Sequence, residues 1–125
     1  MSKVTFFTTR QKVLEVLAAG ADIAYTAVPC STFVPVGSTA LIVKTELEIN
    51  APSGSMKYAT SSKRKDVTQG ICSSDFLMDM NPSPMIVGDN AIIPLDASRQ
   101  FEYDLIGIYA GITYNIRVWA IGYLT

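Results

Sequence analysis

The sequence contains no histidine, and this absence excludes several kinds of chemistry at once. Without an imidazole, the chain cannot build Ser-His-Asp or Cys-His catalytic sites, histidine-ligated zinc sites or histidine pH switches from its own residues. Acidic and basic side chains nearly balance, at 11 against 10, and the net charge is −1. Because no overall basic field is present, we expect neither nucleic acid nor an anionic membrane as a partner.

Charged residues are scarce, at 17% of the chain, against about 25% in typical soluble domains. Hydrophobic residues make up 49%. This composition indicates either that both faces of many elements are covered within the fold, or that part of the surface is buried against partners. The 125 residues fit one domain that is long enough to bury a core.

Long apolar runs and abundant cysteines are also missing. Residues 1–7 lack the apolar stretch of a signal peptide, and the run at 16–20 is far shorter than the roughly 20 residues that span a bilayer. We therefore expect a chain that folds in a cytoplasm. There, Cys30 and Cys72 are expected to be free and buried, with a disulfide between them as the open alternative.

What the sequence does contain is alternation with a period of two. Over residues 39–49, Leu41, Val43 and Leu47 share one face and charged side chains share the other, which is typical of a half-buried strand. A cluster of turn residues follows at 50–55. Residues 56–60 then predict a return strand, and the two strands together predict a hairpin.

The C-terminal half repeats this pattern at 91–95, 100–106 and 112–124. In the last of these segments, alternate residues from Tyr114 to Ala120 form one apolar face. The other face carries Trp119, Ile121 and Tyr123. A strand with large apolar groups on both faces is predicted to be covered twice, by the fold on one side and by a neighbouring subunit on the other.

Two segments are ambiguous. Residues 10–19 fit a helix or a strand, and the β-branched stretches on either side favour the strand. Residues 61–84 predict a long loop, within which 67–72 could form one further strand and 76–78 could dock onto the core. The seven or eight strands, with no helix of ordinary length, predict an all-β, single-domain antiparallel β-sandwich over residues 1–125, jelly-roll-like in topology.

Carboxylates are the acid–base candidates that remain. Asp75 and Asp79 lie four residues apart, and Glu102 and Asp104 share one face of a strand. Paired carboxylates can hydrolyse glycosides. However, acidic residues on one face of a strand are most often its solvated side, and no aromatic platform for a sugar accompanies them. We therefore expect no catalytic residues and no enzymatic activity.

Two short motifs are interpreted as turns. Residues 88–90 (Gly-Asp-Asn) could offer oxygens to calcium, but calcium needs a denser set of ligands, and the motif is typical of a hairpin turn. Residues 53–55 (Ser-Gly-Ser) lack the strand–loop–helix context of a phosphate-binding loop. No metal site and no cofactor are therefore predicted.

Two groups of residues are candidates for binding. Lys63, Arg64 and Lys65 could contact phosphate or an acidic protein surface, or could simply keep a loop soluble. Trp119 and Tyr123 could stack on sugars, as in a lectin, or could be covered by another subunit or by another part of the fold. The scarcity of charge favours coverage.

Several stretches in order resemble small β-sandwich structural proteins from the virions of tailed bacteriophages. Residues 25–29 (Tyr-Thr-Ala-Val-Pro), followed by 37–43 and 47–50, are similar to the opening of those proteins. Residues 87–95 resemble their later hairpin, and 114–123 resemble their closing strand, with its glycine-tyrosine pair near the end. The basic residues at 61–65, and Cys30 where a small residue is usual, depart from that pattern.

The resemblance implies a non-enzymatic capsid decoration or cement protein that forms a trimer, binds the major capsid protein and resides in the virion after synthesis in the host cytoplasm. A tail or neck accessory protein and a glycan-binding, lectin-like module are the alternatives. The interface candidates are Trp119, Ile121 and Tyr123, with Lys63, Arg64 and Lys65 as rim contacts.

Overall fold

The computed structural model describes residues 3–19, 21–50, 54–64, 72–80, 85–106 and 113–125. Within these ranges, only the backbone is described for residues 18–19, 49–50, 54–64, 72–80, 85–87, 89 and 106. Every regular element in the described ranges is a strand, so the predicted all-β class is confirmed. The strands are β1 (Val4–Ala19), β2 (Ile23–Pro29), β3 (Ala40–Asn50), β4 (Gly54–Arg64), β5 (Cys72–Met80), β6 (Met85–Pro94), β7 (Gln100–Ile106) and β8 (Thr113–Leu124).

The strands form two four-stranded antiparallel sheets. The first sheet has the order β1-β8-β3-β6, and the second has the order β2-β7-β4-β5. The strands pair from the two ends of the chain inward: β1 with β8, β2 with β7, β3 with β6 and β4 with β5. The pairs β3·β8 and β4·β7 then complete the sheets.

One hydrophobic core lies between the two sheets, as in a β-sandwich. Phe101 and Leu105 of β7 are fully buried in it, and so are Leu41 and Val43 of β3. The alternation of buried and partly buried residues along β8 matches the predicted inner face from Tyr114 to Ala120. The strand at 10–19, favoured over a helix, is also confirmed as the second part of β1.

The predicted hairpin of residues 39–49 and 56–60 is wrong. Both segments are strands, but β3 pairs with β6 and β8, whereas β4 pairs with β5 and β7 in the other sheet. Alternation identifies a strand and its buried face, but it does not identify the strand's neighbour. Pairing is decided by contacts between distant parts of the chain.

The long loop predicted at about 61–84 is also wrong over much of its length. β4 continues to Arg64, and β5 occupies Cys72–Met80. The strand predicted at 67–72 falls almost entirely outside the described residues. The segment at 76–78 lies in β5, and its side chains are outside the described set.

The turn predicted at residues 88–90 is a third correction, because these residues lie inside β6. Gly88 is opposite Glu46 of β3, and Asn90 is opposite Lys44. A Cβ atom at Gly88 would lie 3.2 Å from the carbonyl oxygen of Thr45. The glycine therefore permits a close approach of two strands and does not mark a reversal of the chain.

A bulge interrupts β8 near its end. Gly122 is opposite Ile42 and Ala120 is opposite Val43, so Ile121 is an extra residue in β8. Tyr123 consequently lies opposite the buried Leu41 and packs against the core, where its ring centroid is 5.6 Å from that of Phe7. The predicted outer face of β8 thus ends at the bulge.

Candidate interaction surface

The outer face of the first sheet holds a group of cations around a tryptophan. Trp119 of β8 is opposite Lys12 of β1 and Lys44 of β3. The guanidinium carbon of Arg10 lies 4.0 Å from the centroid of the Trp119 ring, and Lys12 Nζ lies 5.6 Å from it. We call these four residues the Trp119 cluster. Each such cation–π contact contributes about 0.5–2 kcal/mol, depending on exposure.

The side chain of Trp119 is covered largely by its own chain. The indole Nε1 is buried and has no hydrogen-bond partner among the described residues, and Arg10 lies over the ring. The sequence left two possibilities for the cover of this residue, another subunit or another part of the fold. Long cationic side chains of β1 provide part of that cover within one copy, because their methylene stems can lie on an aromatic surface.

An ion-pair network lies beside the Trp119 cluster. Arg117 Nε donates to Glu46 Oε2 at 3.2 Å, and Arg117 Nη1 donates to Glu48 Oε2 at 3.3 Å. Burial by itself would lower the pKa of Arg117, but the hydrogen bonds to Glu46 and Glu48 outweigh burial and raise it. Lys44 adds a longer contact to Glu46, at 3.9 Å. Arg117 therefore remains charged between two carboxylates.

A second set of polar contacts joins β1 to β8. Glu15 accepts hydrogen bonds from Lys12 Nζ at 2.8 Å and from Asn115 Nδ2 at 3.2 Å, and these contacts lower its pKa. Asn115 also lines a shallow depression of about 120 Å³ with Leu17 and Glu48. Small-molecule sites usually measure about 300–1,000 Å³, so this depression is too small to hold a sugar ring in the usual way.

On the outer face of the first sheet, the end beyond the Trp119 cluster carries apolar residues on all four strands. One cross-strand row contains Phe6, Gly122, Ile42 and Ile92, and the next contains Val4, Leu124, Ala40 and Pro94. We call these eight residues the apolar patch. Phe6 is 66% exposed, Ile92 54% and Val4 50%. An exposed apolar surface bordered by charged residues is typical of a protein interface.

The structure separates the two predicted groups of interface residues. Trp119 and Ile121 lie on the first sheet, whereas Lys63 and Arg64 are the last residues of β4 in the second sheet. Lys63 is opposite Glu102 of β7, a register that suits opposite charges. Lys65 lies outside the described residues. Sequence reasoning missed the apolar patch, because its members are spread over four strands.

The four candidate catalytic carboxylates lie on two strands of the second sheet, Asp75 and Asp79 on β5 and Glu102 and Asp104 on β7. Asp75 and Asp79 are four residues apart along β5, a separation of about 13 Å at the usual rise per residue. Glu102 and Asp104 are partly buried and lie on the outer face of β7. Among the described residues, no three potential metal ligands come together. That part of the chain also has no helix long and apolar enough to cross a membrane.

Cys30 is a free and fully buried thiol, as predicted, and its Sγ lies 3.7 Å from the carbonyl oxygen of Val28. Burial raises the pKa of this thiol to about 12 from an ordinary value of 9.0. Cys72 begins β5, and its side chain is outside the described set.

We expect the free energy of unfolding to fall as the pH rises from about 9 towards 12. The unfolded thiol of Cys30 ionises in this range, whereas the buried thiol stays protonated, so its contribution to stability is complete below pH 9 and is lost above it. Burial also raises the pKa of Tyr103 and Tyr114, with the same sign. Urea titrations at several pH values measure the loss, and Cys30→Ala should reduce its slope. An unchanged slope in that variant would contradict the assignment.

No family model matches this chain, and no curated protein matches it. Among solved structures, the chain is similar to one described as "Structure of infectious bursal disease virus Gx strain", at 12% sequence identity and a TM-score of 0.40. The likeness covers 99% of this chain and 36% of the other, so this chain spans about a third of the length of the chain it matches.

Proposed function

We propose that this chain is a non-enzymatic structural protein of a virus particle. In its specific form, the proposal is a capsid decoration protein of the tailed-bacteriophage type, a trimer that binds the major capsid protein and stabilises the joints between capsid subunits. The observation that carries the proposal is the order of strand pairing, in which the first strand pairs with the last, the second with the seventh, and so on inward.

This pairing order supports a jelly-roll topology. An antiparallel ribbon of four strand pairs, rolled up so that β3 meets β8 and β4 meets β7, produces the two sheets described above. Jelly rolls recur in viral capsid proteins and in lectins. Because a fold does not by itself imply a function, the choice between these two classes depends on the surface.

The surface favours a protein partner over a glycan. A glycan-binding module needs an open aromatic ring flanked by free polar groups, but Arg10 lies over the ring of Trp119, and the indole nitrogen is buried. The apolar patch, in contrast, presents three exposed apolar side chains, Phe6, Ile92 and Val4. Ile121 lies at the bulge between the Trp119 cluster and the patch, and Tyr123 supports the same region from the core side.

A decoration protein stabilises a capsid by burying area across the joints between subunits. A stable contact usually buries about 1,600 Å² in total, and several symmetric contacts made by one oligomer multiply the effective affinity. In the proposed role, Trp119, Ile121 and Tyr123 contribute to or support such a contact. Lys63 and Arg64, at the end of β4 in the second sheet, would make separate polar contacts with a neighbouring capsid subunit, and Lys65 follows them in the sequence.

The test is to locate the protein in assembled particles. Imaging of labelled particles is expected to show the protein at regular positions on the capsid, and its selective removal is expected to leave capsids that open at a lower temperature. Label confined to the tail or neck would favour the accessory-protein alternative. Absence from the particle, together with binding of the purified protein to a glycan array, would overturn the proposal in favour of a lectin.

A further inference from the structure

We infer that β6, an edge strand of the first sheet, pairs antiparallel with β6 of a second copy of this chain, about a twofold axis at Asn90. The two four-stranded sheets then join edge to edge into one continuous sheet. The inference goes beyond the proposed function. It depends on the backbone register of β6 and not on the exposed face of the sheet.

The register between β3 and β6 shows which backbone groups of β6 point away from the sheet. The N–H of Leu95 donates to the carbonyl oxygen of Thr39 at 2.9 Å, and β6 pairs with β3 without a register shift. Because successive residues of a strand direct their N–H and C=O groups to opposite sides, Ile93 and the other odd-numbered residues bond to β3. The even-numbered residues direct these groups to the free side, among them Ile86, Gly88, Ile92 and Pro94.

The position of Pro94 agrees with this direction. A proline has no N–H to donate, so within a sheet it is tolerated where that group would face away from the neighbouring strand. Pro94 is opposite Ala40 of β3 and takes an even-numbered place. In the described part of the chain, no strand pairs with β6 on its free side. That side can therefore receive another strand.

The other edges of the two sheets are less suited to such pairing. β1 has two register shifts along β8 and carries the ion pair of Lys12 and Glu15. β2 also has a register shift, and Thr26 Oγ1 donates to the carbonyl oxygen of Ala24 at 2.8 Å. β5 carries two aspartates in nine residues. Bulges and charges of this kind keep edge strands from pairing, whereas β6 is regular and has one charged residue, Asp89.

An axis at Asn90 gives the most favourable register for two antiparallel copies of β6. Ile92 of one copy then lies opposite Gly88 of the other. The residues of β6 other than Asn90 make about six backbone hydrogen bonds across the axis. An axis at Asp89 would place two aspartates opposite each other, which is unfavourable. An axis at Ile92 would leave the first half of β6 without a strand opposite it.

The side chains that meet in this register fit each other. Ile92 is 54% exposed on the outer face of the sheet, whereas its neighbour Ile93 is buried in the core. Gly88 is exposed and has no side chain, so the place opposite Ile92 is open. Each Ile92 lies over the backbone of Gly88 in the other copy. The contact is therefore isologous, with both symmetric positions covered together.

The cations of the Trp119 cluster stay apart in this arrangement. Lys44 of β3 is opposite Asn90 and is the member of the cluster nearest to the axis. Three strand spacings separate Lys44 of one copy from Lys44 of the other, a distance of about 14 Å. This distance exceeds the screening length of about 8 Å at physiological salt. Lys44 also contacts Glu46, which offsets its charge.

The area of the contact predicts a reversible association. The paired stretch of β6 is about 30 Å long, so each copy would bury on the order of 400 Å², or about 800 Å² in total. Contacts of this size belong to weak complexes. We therefore expect an equilibrium between monomer and dimer that shifts with protein concentration.

Hydrogen exchange of the native protein, resolved by residue with NMR, tests which backbone groups pair. Between about 50 μM and about 1 mM protein, exchange of the Gly88 and Ile92 amides is expected to slow about threefold or more. The amides of Ala91 and Ile93 are the internal control. They bond to β3 within one copy, so their exchange should be slow and the same at both concentrations.

Disulfide cross-linking tests the position of the axis. Asn90→Cys should link two copies under mild oxidation, because Cα atoms of residues paired at the axis are about 5.5 Å apart. Ile92→Cys is the matched control on the same side of the same strand, but its two copies lie about 14 Å apart and should not link. Every variant also carries Cys72→Ser, which leaves only the buried Cys30 besides the introduced thiol. Mass spectrometry without reductant measures the linked fraction.

Equal cross-linking of the two variants, or none in Asn90→Cys, would overturn the inference, and so would exchange at Ile92 that does not depend on concentration. Protection of Ile92 that requires another protein of the particle would identify a different occupant and would also overturn it. None of these results bears on whether the protein is found in particles, so the proposed function fails or stands separately.

Discussion

Replacement of Phe101 with alanine is expected to lower the free energy of unfolding by about 3–5 kcal/mol. Phe101 of β7 is fully buried and belongs to the core that the two sheets share. The alanine would remove the largest fully buried side chain of the described residues and leave a cavity between the sheets. Since small domains are stable by only about 5–15 kcal/mol, this loss would leave the fold marginal at room temperature.

Equilibrium unfolding in urea measures this change, with Leu17→Ala as the control. Leu17 is exposed on the first sheet, so its truncation should change the free energy of unfolding by no more than about 0.5 kcal/mol. Similar losses in the two variants would mean that Phe101 does not occupy a common core. Phe101→Leu, which keeps most of the apolar volume, should lie between them.

Arg117→Met is expected to cost about 1–3 kcal/mol, the second-largest effect. Arg117 is the cation between Glu46 and Glu48, which lie two residues apart on the same face of β3. Its removal leaves two neighbouring, partly buried carboxylates, and only Glu46 keeps a cation, through its longer contact with Lys44. Fully exposed pairs contribute about 0–1 kcal/mol and breaking a buried pair costs about 3–5 kcal/mol, so a half-buried pair should fall between these ranges.

A triple variant separates the charge effect from the loss of packing. Arg117→Met combined with Glu46→Gln and Glu48→Gln should recover much of the stability, because no uncompensated carboxylate remains. Lys12→Met, which breaks the exposed pair with Glu15, is the matched control and should leave the free energy of unfolding close to that of the native protein. If the triple variant is no more stable than Arg117→Met, the contribution of Arg117 is packing and not charge.

The two faces of β8 are both covered, as their apolar side chains indicated, but the outer face is covered by a different part of the molecule than expected. Large apolar side chains on both faces of β8 indicated that something covers each face. On the inner face, the second sheet does so. On the outer face, Arg10 lies over Trp119, and the bulge at Ile121 returns Tyr123 to the core. The exposed apolar side chains nearest to Trp119 are therefore Phe6, Ile92 and Val4 of the apolar patch.

The sequence by itself determined the all-β class, the absence of histidine chemistry and the inner faces of β3, β7 and β8. These properties are local, because an alternation of apolar and polar residues specifies a strand and its buried side without reference to any other segment. At residues 10–19, where the apolar pattern also allowed a helix, the β-branched stretches on either side favoured the strand.

Only the tertiary structure decided which strands are neighbours, where β8 bulges and which exposed residues form one surface. Glycine at position 88 suggested a turn, yet it lies in the middle of β6. A glycine fits there because the backbone of Thr45, on another strand, approaches closely. The scarcity of charge, likewise, is a property of the whole chain. The uncharged residues of the apolar patch come together through the register among β1, β8, β3 and β6, and long-range contacts fix that register.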